Sequence, residues 1–246
     1  MENATYIGLS RQDALKRQLS VIANNIANMD TAGFKGQQVM FEEFMVTPEG
    51  AATPQAAEPV SMVNDLGSYR DLKQGAMTRT GNTLDLALMG EGYFALEGPA
   101  GPRYTRAGNF HLNNDREIVH NTGLPVLDDG GQRIVIPQDA RDIQIDRNGV
   151  VVAGGLEVGQ IQVATFADQQ ALTQVAGGLY ITDQNPEAAP DTEIRQGFIE
   201  GSNVNPITEM TRMMDVASSY ASTRDMLDTE HDRMRSAIQT LGSLNA

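Results

Sequence analysis

Gln18-Leu19-Ser20-Val21-Ile22-Ala23-Asn24-Asn25-Ile26-Ala27-Asn28-Met29 runs for twelve residues between Arg17 and Asp30 without a single charge. In and just before it, Leu15, Leu19, Ile22, Ile26 and Met29 recur at steps of four, three, four and three, the period of a coiled-coil seam. The pattern predicts a helix from about Tyr6 to Met29, stopped by Thr31-Ala32-Gly33 with the glycine placed for a left-handed cap. Away from the seam, Asn24 and Asn28 lie one turn apart beside Val21 and Ala27. A solvent-facing helix back normally carries Lys and Glu, whereas small and amide side chains suit a helix enclosed by protein. The enclosure is either the chain's own interior or neighbouring chains.

The other end of the chain repeats the theme. Asn205-Pro206 reads as N-cap and first helical residue, with Glu209 in the first turn where the helix dipole favours a carboxylate. Met210, Met213, Ala217, Tyr220, Arg224, Leu227, His231, Met234, Ile238 and Leu241 then alternate in steps of three and four up to Gly242. One row of this seam is wholly apolar, while the other contains Arg224 and His231, so its late packing partner is not evident. A helix of roughly 55 Å with no sequence neighbour to cover it needs a partner, and the N-terminal helix is the obvious one.

Between the helices the signals are those of strands. Residues 46–60, with Pro48, Pro54 and Pro59, read as a linker or extended strap. Leu84, Leu86 and Leu88 alternate, Tyr93-Phe94-Ala95-Leu96 is bounded by glycines, and Asn113-Asn114-Asp115, Asp128-Asp129-Gly130-Gly131 and Asp146-Arg147-Asn148-Gly149 are hairpin turns. Ile134-Val135-Ile136, Val150-Val151-Val152 and Gln160-Ile161-Gln162-Val163 are strand-like. The expected fold is α+β: a discontinuous module of terminal helices (1–45 with 200–246), a strap (46–74), and a central, mainly antiparallel β domain (75–199).

Composition narrows the functions. The net charge is −14, and the middle, residues 46–205, holds −11 of it, with 21 acids against 10 bases. Nucleic-acid binding needs a basic stripe and is disfavoured. There is no cysteine, hence no disulfide or thiolate metal site. No stretch reaches the ~18–20 apolar residues of a membrane span, and the opening residues lack the basic and apolar regions of a cleaved signal. His111, His120 and His231 form no metal-binding spacing, no nucleophile elbow occurs, and Gly90-Glu91-Gly92 and Gly154-Gly155 lack the completion of a phosphate loop. No catalytic residue, metal ligand or cofactor is expected.

Three segments resemble the flagellar rod and hook family: Ala23 through Lys35; Gly75 through Leu127, above all Arg79-Thr80-Gly81-Asn82-Thr83-Leu84-Asp85-Leu86-Ala87, Gly90-Glu91-Gly92-Tyr93-Phe94 and Arg103-Tyr104-Thr105-Arg106-Ala107-Gly108-Asn109-Phe110; and Glu200-Gly201-Ser202-Asn203-Val204-Asn205-Pro206. They stand in the family's order. The opening Met1-Glu2-Asn3 and Tyr6 through Gln12 look most like its proximal-rod branch. The resemblance implies a structural subunit in the periplasmic rod of the basal body, exported through the flagellar type III apparatus without a cleaved signal. It implies as partners other copies and neighbouring rod proteins, with no small-molecule substrate and no membrane insertion. Together with the uncovered seams, it places subunit interfaces at Leu15, Leu19, Ile22, Asn24, Asn25, Ile26, Asn28, Met29, Thr31, Gly33 and Phe34 near the first helix. Near the second it places them at Asn203, Asn205, Pro206, Met210, Met213, Ala217, Tyr220, Leu227, Met234, Ile238 and Leu241. The alternatives are another axial member of the family, or a secreted adhesin or enzyme with a helical stalk. The latter would show a concave pocket with perturbed titratable groups within 75–180.

Overall fold

A computed structural model describes residues 2–46, 60–140 and 142–244 of the chain. Helices α1 (Glu2–Ala27) and α2 (Pro206–Leu244) bracket a strand-rich middle, as the α+β reading expects. The strands are β1 (Gln37–Val46), β2 (Val60–Arg70), β3 (Met77–Arg79), β4 (Leu86–Met89), β5 (Tyr93–Gly98), β6 (Gly101–Thr105), β7 (Phe110–Leu112), β8 (Ile118–His120), β9 (Ile143–Ile145), β10 (Val150–Ala153), β11 (Leu156–Gln160), β12 (Val163–Thr165), β13 (Thr173–Val175), β14 (Leu179–Ile181), β15 (Glu187–Ala188), β16 (Glu193–Gln196) and β17 (Phe198–Glu200). The chain divides into a helical unit of α1, β1, β2 and α2, and a β unit comprising Asn28–Gly36 and Asp71–Val204.

In the helical unit, β1 and β2 form an antiparallel hairpin running from Gln37↔Arg70 to Val46↔Val60, with a bulge between Met40 and Phe41. This hairpin is absent from the sequence reading. The prolines of residues 47–59, which lie outside the described residues, suggested an extended strap, yet Val60–Arg70 on their far side is a paired strand. Two side chains of α1 fasten it. The Asn25 amide donates to the Gln37 carbonyl (2.8 Å) and accepts from the Gln37 N–H (2.9 Å). The Ser10 hydroxyl does the same for Val63, donating at 3.0 Å and accepting at 3.1 Å. Each gives the backbone of one strand residue both a donor and an acceptor, as a neighbouring strand would. Ser10 to Asn25 rises ~22 Å along a helix. Gln37 to Glu43, the register partner of Val63, spans ~20 Å of strand. The lengths match, so the hairpin lies along the helix.

α1 ends two residues before the seam predicts. Gly33 takes a left-handed φ of 66°, in the turn that follows rather than as the helix cap, and its N–H donates to the Glu200 carbonyl (2.8 Å). The start of α2 is as expected: the Asn205 side-chain oxygen accepts from the N–H groups of Ile207 (3.0 Å) and Thr208 (3.2 Å). Gly242 does not stop the helix, which continues to Leu244.

The β unit is built on a six-stranded antiparallel sheet in the order β13-β14-β6-β5-β12-β15, with β11-β10-β9 and the pairs β16-β4, β17-β3 and β7-β8 around it. All four residues of Tyr93-Phe94-Ala95-Leu96 are buried because β5 separates two apolar clusters. Phe94 and Leu96 join the larger, with Leu86, Leu88, Ile118 and Ile134; Tyr93 and Ala95 join the smaller, with Tyr104, Phe166 and Tyr180. Phe94 and Phe110 meet edge to face at 5.1 Å, and Tyr104 and Phe166 at 4.8 Å.

One buried polar group sits against the larger cluster. The His120 ring is fully buried, its Nδ1 is 2.9 Å from the Thr122 hydroxyl, and its Nε2 has no partner. Burial, with a smaller contribution from the charge of His111, lowers its pKa from 6.5 to about 4. A histidine lowered in the folded state leaves the unfolded chain binding more protons between these values, so stability falls as pH drops from 6.5 towards 4. The full effect is about 3 kcal/mol, reached below pH 4. The urea midpoint of the β unit should decline over this window, and His120→Phe should remove much of the decline. An unaltered pH slope in that variant contradicts the assignment.

Candidate assembly surface

The two helices of the helical unit run antiparallel: Asn25 meets Glu209 and Gly8 lies against Leu227, separations of 17 and 18 residues on the two helices. The row Met213, Tyr220, Leu227 and Met234 faces inward or is half-buried, as the seam predicts. The second row differs from the expectation by one residue. Glu209, Val216 and Thr223 are buried and Glu230 half-buried, whereas Met210, Ala217, Arg224, His231 and Ile238 are exposed. Both choices alternate by three and four, and apolarity favours the wrong one at Met210. Glu209 turns inward because partners await it: its carboxylate accepts from the Asn25 amide (3.1 Å) and from Arg212 (2.9 Å). Arg224 points outward and pairs loosely with Asp228 (3.8 Å), which removes the puzzle of a polar seam.

On α1 the buried face is Val21, Ile22 and Asn25, flanked by half-buried Leu15, Leu19 and Ile26. Val21 therefore belongs to the covered face, not to the back. The exposed uncharged strip is Ser20, Ala23, Asn24 and Ala27. Several residues assigned to subunit interfaces are already covered within the chain: Ile22, Asn25 and Leu227 in the helical unit, Gly33 and Phe34 in the β unit. Asn203 is half-buried, and its amide accepts from Gly36 N–H (2.8 Å) and donates to the carbonyls of Asp71 (2.7 Å) and Lys73 (3.1 Å). Asn205 is engaged as the cap. Asn28, Met29 and Thr31 are half-buried, and the Thr31 hydroxyl donates to Asn28 (3.2 Å). Pro206 is half-buried; the side chain of Leu241 lies outside the described residues.

What remains open is apolar. Ile207, Met210, Met214, Ala217 and Ala221, spaced three, four, three and four, form a stripe on the outer face of α2, with Ile207 76%, Met210 48% and Met214 64% exposed. Tyr6, Ile7 and Leu9 are exposed on α1, and Met40, Phe44, Met45, Val63, Leu66 and Tyr69 on the hairpin. Fourteen of the eighteen large apolar side chains exposed among the described residues lie in the helical unit, which buries only Val21, Ile22, Val216 and Leu227. The β unit holds the remaining buried apolar side chains. The register of the pair also lets α1 run out opposite about residue 233, so roughly the last 16 Å of α2 have no α1 beside them.

Concave sites with charged linings occur in the β unit. One cavity of about 230 Å³ is lined by Lys35, Gln74, Glu91, Tyr93, Arg106 and Gln169 among others. Its two cations are not free, since both bond Glu200. A second, of about 290 Å³, includes Asp129, whose carboxyl burial raises, with Asp128 adding to the rise. Among the described residues no group of three His, Asp or Glu side chains could hold a metal ion, and no helix is long and apolar enough to cross a membrane.

Known proteins resemble the chain along its whole length. Residues 6–35 match the family described as flagella basal body rod protein, residues 87–153 the flagellar hook protein FlgE/F/G D1 domain, and residues 195–240 the flagellar basal body rod FlgEFG protein C-terminal family. The chain is 38% identical to the flagellar basal-body rod protein FlgF of Caulobacter vibrioides over all of both chains. It is 33% identical to FlgF of Mesorhizobium japonicum over 99% of each. Identity to the flagellar basal-body rod protein FlgG of Bacillus subtilis is 33%, over 97% of this chain and 98% of that one. The two matched terminal segments carry the helix pair, the central one carries most of the larger core cluster of the β unit, and the chain belongs to the flagellar basal-body rod protein family.

Proposed function

We propose that this chain is a structural subunit of the rod of the bacterial flagellar basal body, of the proximal-rod FlgF type, and that it joins other copies and neighbouring rod proteins through its helical unit. The observation that carries the reading is the asymmetry of burial. The β unit encloses its own core, while the helical unit leaves most of its large apolar side chains to water. Apolar patches of that extent mark surfaces that other protein covers. The outer α2 stripe, the uncharged strip of α1 and the overhanging end of α2 are the surfaces assigned to neighbours. The acidic β unit is assigned to the outside of the assembly. On this reading the protein transmits torque and catalyses nothing, lies in the periplasm, and arrives through the flagellar export apparatus without a cleaved signal.

The deciding experiment is a deletion strain. It should build the membrane ring yet lack hook and filament, and the intact gene in trans should restore both. Normal flagella in the deletion strain refute the reading.

A further inference from the structure

Lys35, Arg106 and Glu200 come from three distant parts of the chain: the segment after α1, the residue after β6 and the end of β17. They meet with side-chain exposures of 4%, 5% and 0%. The Glu200 carboxylate accepts from Lys35 Nζ (2.6 Å), Arg106 Nε (2.7 Å) and the Gly75 N–H (3.0 Å). Lys35 also donates to the Lys73 carbonyl (2.8 Å), and Arg106 to the carbonyls of Gly92 (2.6 Å), Gly90 (2.6 Å) and Leu88 (3.3 Å). Hydrogen bonds are therefore abundant, but buried charge is not balanced: two buried cations share one buried anion, and half-buried Asp71 adds only a weaker attraction to Lys35. Burial lowers the Lys35 pKa, Glu200 opposes that fall, and Arg106 adds to it. Burial likewise disfavours the Glu200 charge, but Arg106 and Lys35 outweigh it and hold the carboxyl below its ordinary range.

We propose that Glu200 is the closure residue of the β unit: Lys35 and Arg106 can be buried side by side only when its carboxylate is in place. Two desolvated like charges left with only half-buried Asp71 near one of them disfavour the closed unit far more than a missing hydrogen bond does. The segment that delivers Glu200 also supplies β16 against β4, β17 against β3, and the core side chain Ile194. The β unit is thus built to remain open until the chain beyond residue 192 has joined it. This goes beyond the rod reading and does not depend on it, because it concerns folding of one chain.

The test uses the full-length chain and its rate of proteolysis within residues 77–195 under native conditions. Glu200→Gln keeps an acceptor but removes the anion, raising the buried charge by one unit; cleavage should be at least about tenfold faster than in the wild type. Lys35→Met with Glu200→Gln restores the original net charge, and cleavage should return to within about threefold of the wild type. A role resting on hydrogen bonds alone predicts the opposite order, since the double variant loses the Lys35 bonds as well. The proposal is overturned if E200Q is as protected as the wild type, or if the double variant is no better protected than E200Q. Neither outcome touches the assembly reading.

Discussion

Met210→Glu combined with Met214→Glu is expected to abolish swimming while leaving the free chain folded. Both side chains sit on the outer stripe of α2, 48% and 64% exposed, and neither contributes to the α1–α2 seam. Exposed substitutions away from packing features usually change stability by no more than about 0.5 kcal/mol, so the melting curve of the isolated protein should hardly move. On the proposed reading the same stripe lies against a neighbour in the assembled rod. There each enclosed, unpaired carboxylate costs several kcal/mol, and the two stand one turn apart on the same face. Soft-agar motility and electron microscopy of basal bodies read one side of the prediction; thermal unfolding of the purified chain reads the other. A doubly substituted protein that still supports hooks and filaments would mean that this face stays in water.

Gly108→Ala is expected to open the β unit. The Gly108 carbonyl accepts from the Leu86 N–H at 2.8 Å, so the two backbones lie in contact. A Cβ at position 108 would stand 1.6 Å from the Leu86 carbonyl oxygen and 3.3 Å from the Phe94 ring. Leu86 and Phe94 are fully buried, so nothing there can move aside into solvent. Backbone must separate from backbone in the middle of the main core, and a loss above about 4 kcal/mol is expected, a large part of the whole stability of a domain. Gly123→Ala is the control. Its added Cβ meets nothing within 4 Å, and only its positive φ of 82° is strained, for a loss of about 1 kcal/mol. Urea titration followed by tyrosine fluorescence separates the two. Similar midpoints for both variants would show that the Leu86 contact is softer than its geometry.

The same two sites show how far sequence reading reaches. Met210 is legible as part of a three–four alternation, but two alternations fit α2 equally well. Choosing between them requires knowing that Asn25, 184 residues away, offers Glu209 a partner. Gly108 stands inside the family-like segment Arg103 through Phe110, yet nothing in Ala107-Gly108-Asn109 announces that Leu86 will pass at contact distance. The hairpin is illegible in the sequence for a related reason. Its strands are separated by a proline-bearing segment, and their pairing is fixed partly by Ser10 and Asn25 on a helix, which no strand period records. Lys35, Arg106 and Glu200 were visible one by one in the three family-like segments, but not as a cluster.

The order of residues alone determined that both ends are helices with apolar seams, that the middle is antiparallel β with Gly-rich turns, and that no motif for catalysis or metal binding is present. Those are consequences of period and local backbone preference, which act over a few residues. The tertiary structure decided which face of α2 turns inward, which asparagine becomes a buried bracket, and which three charges share one dry site. A carboxylate or an amide carries no fixed preference for water or interior: the balance between losing solvent and gaining a partner sets it, and that partner is supplied by a distant part of the chain.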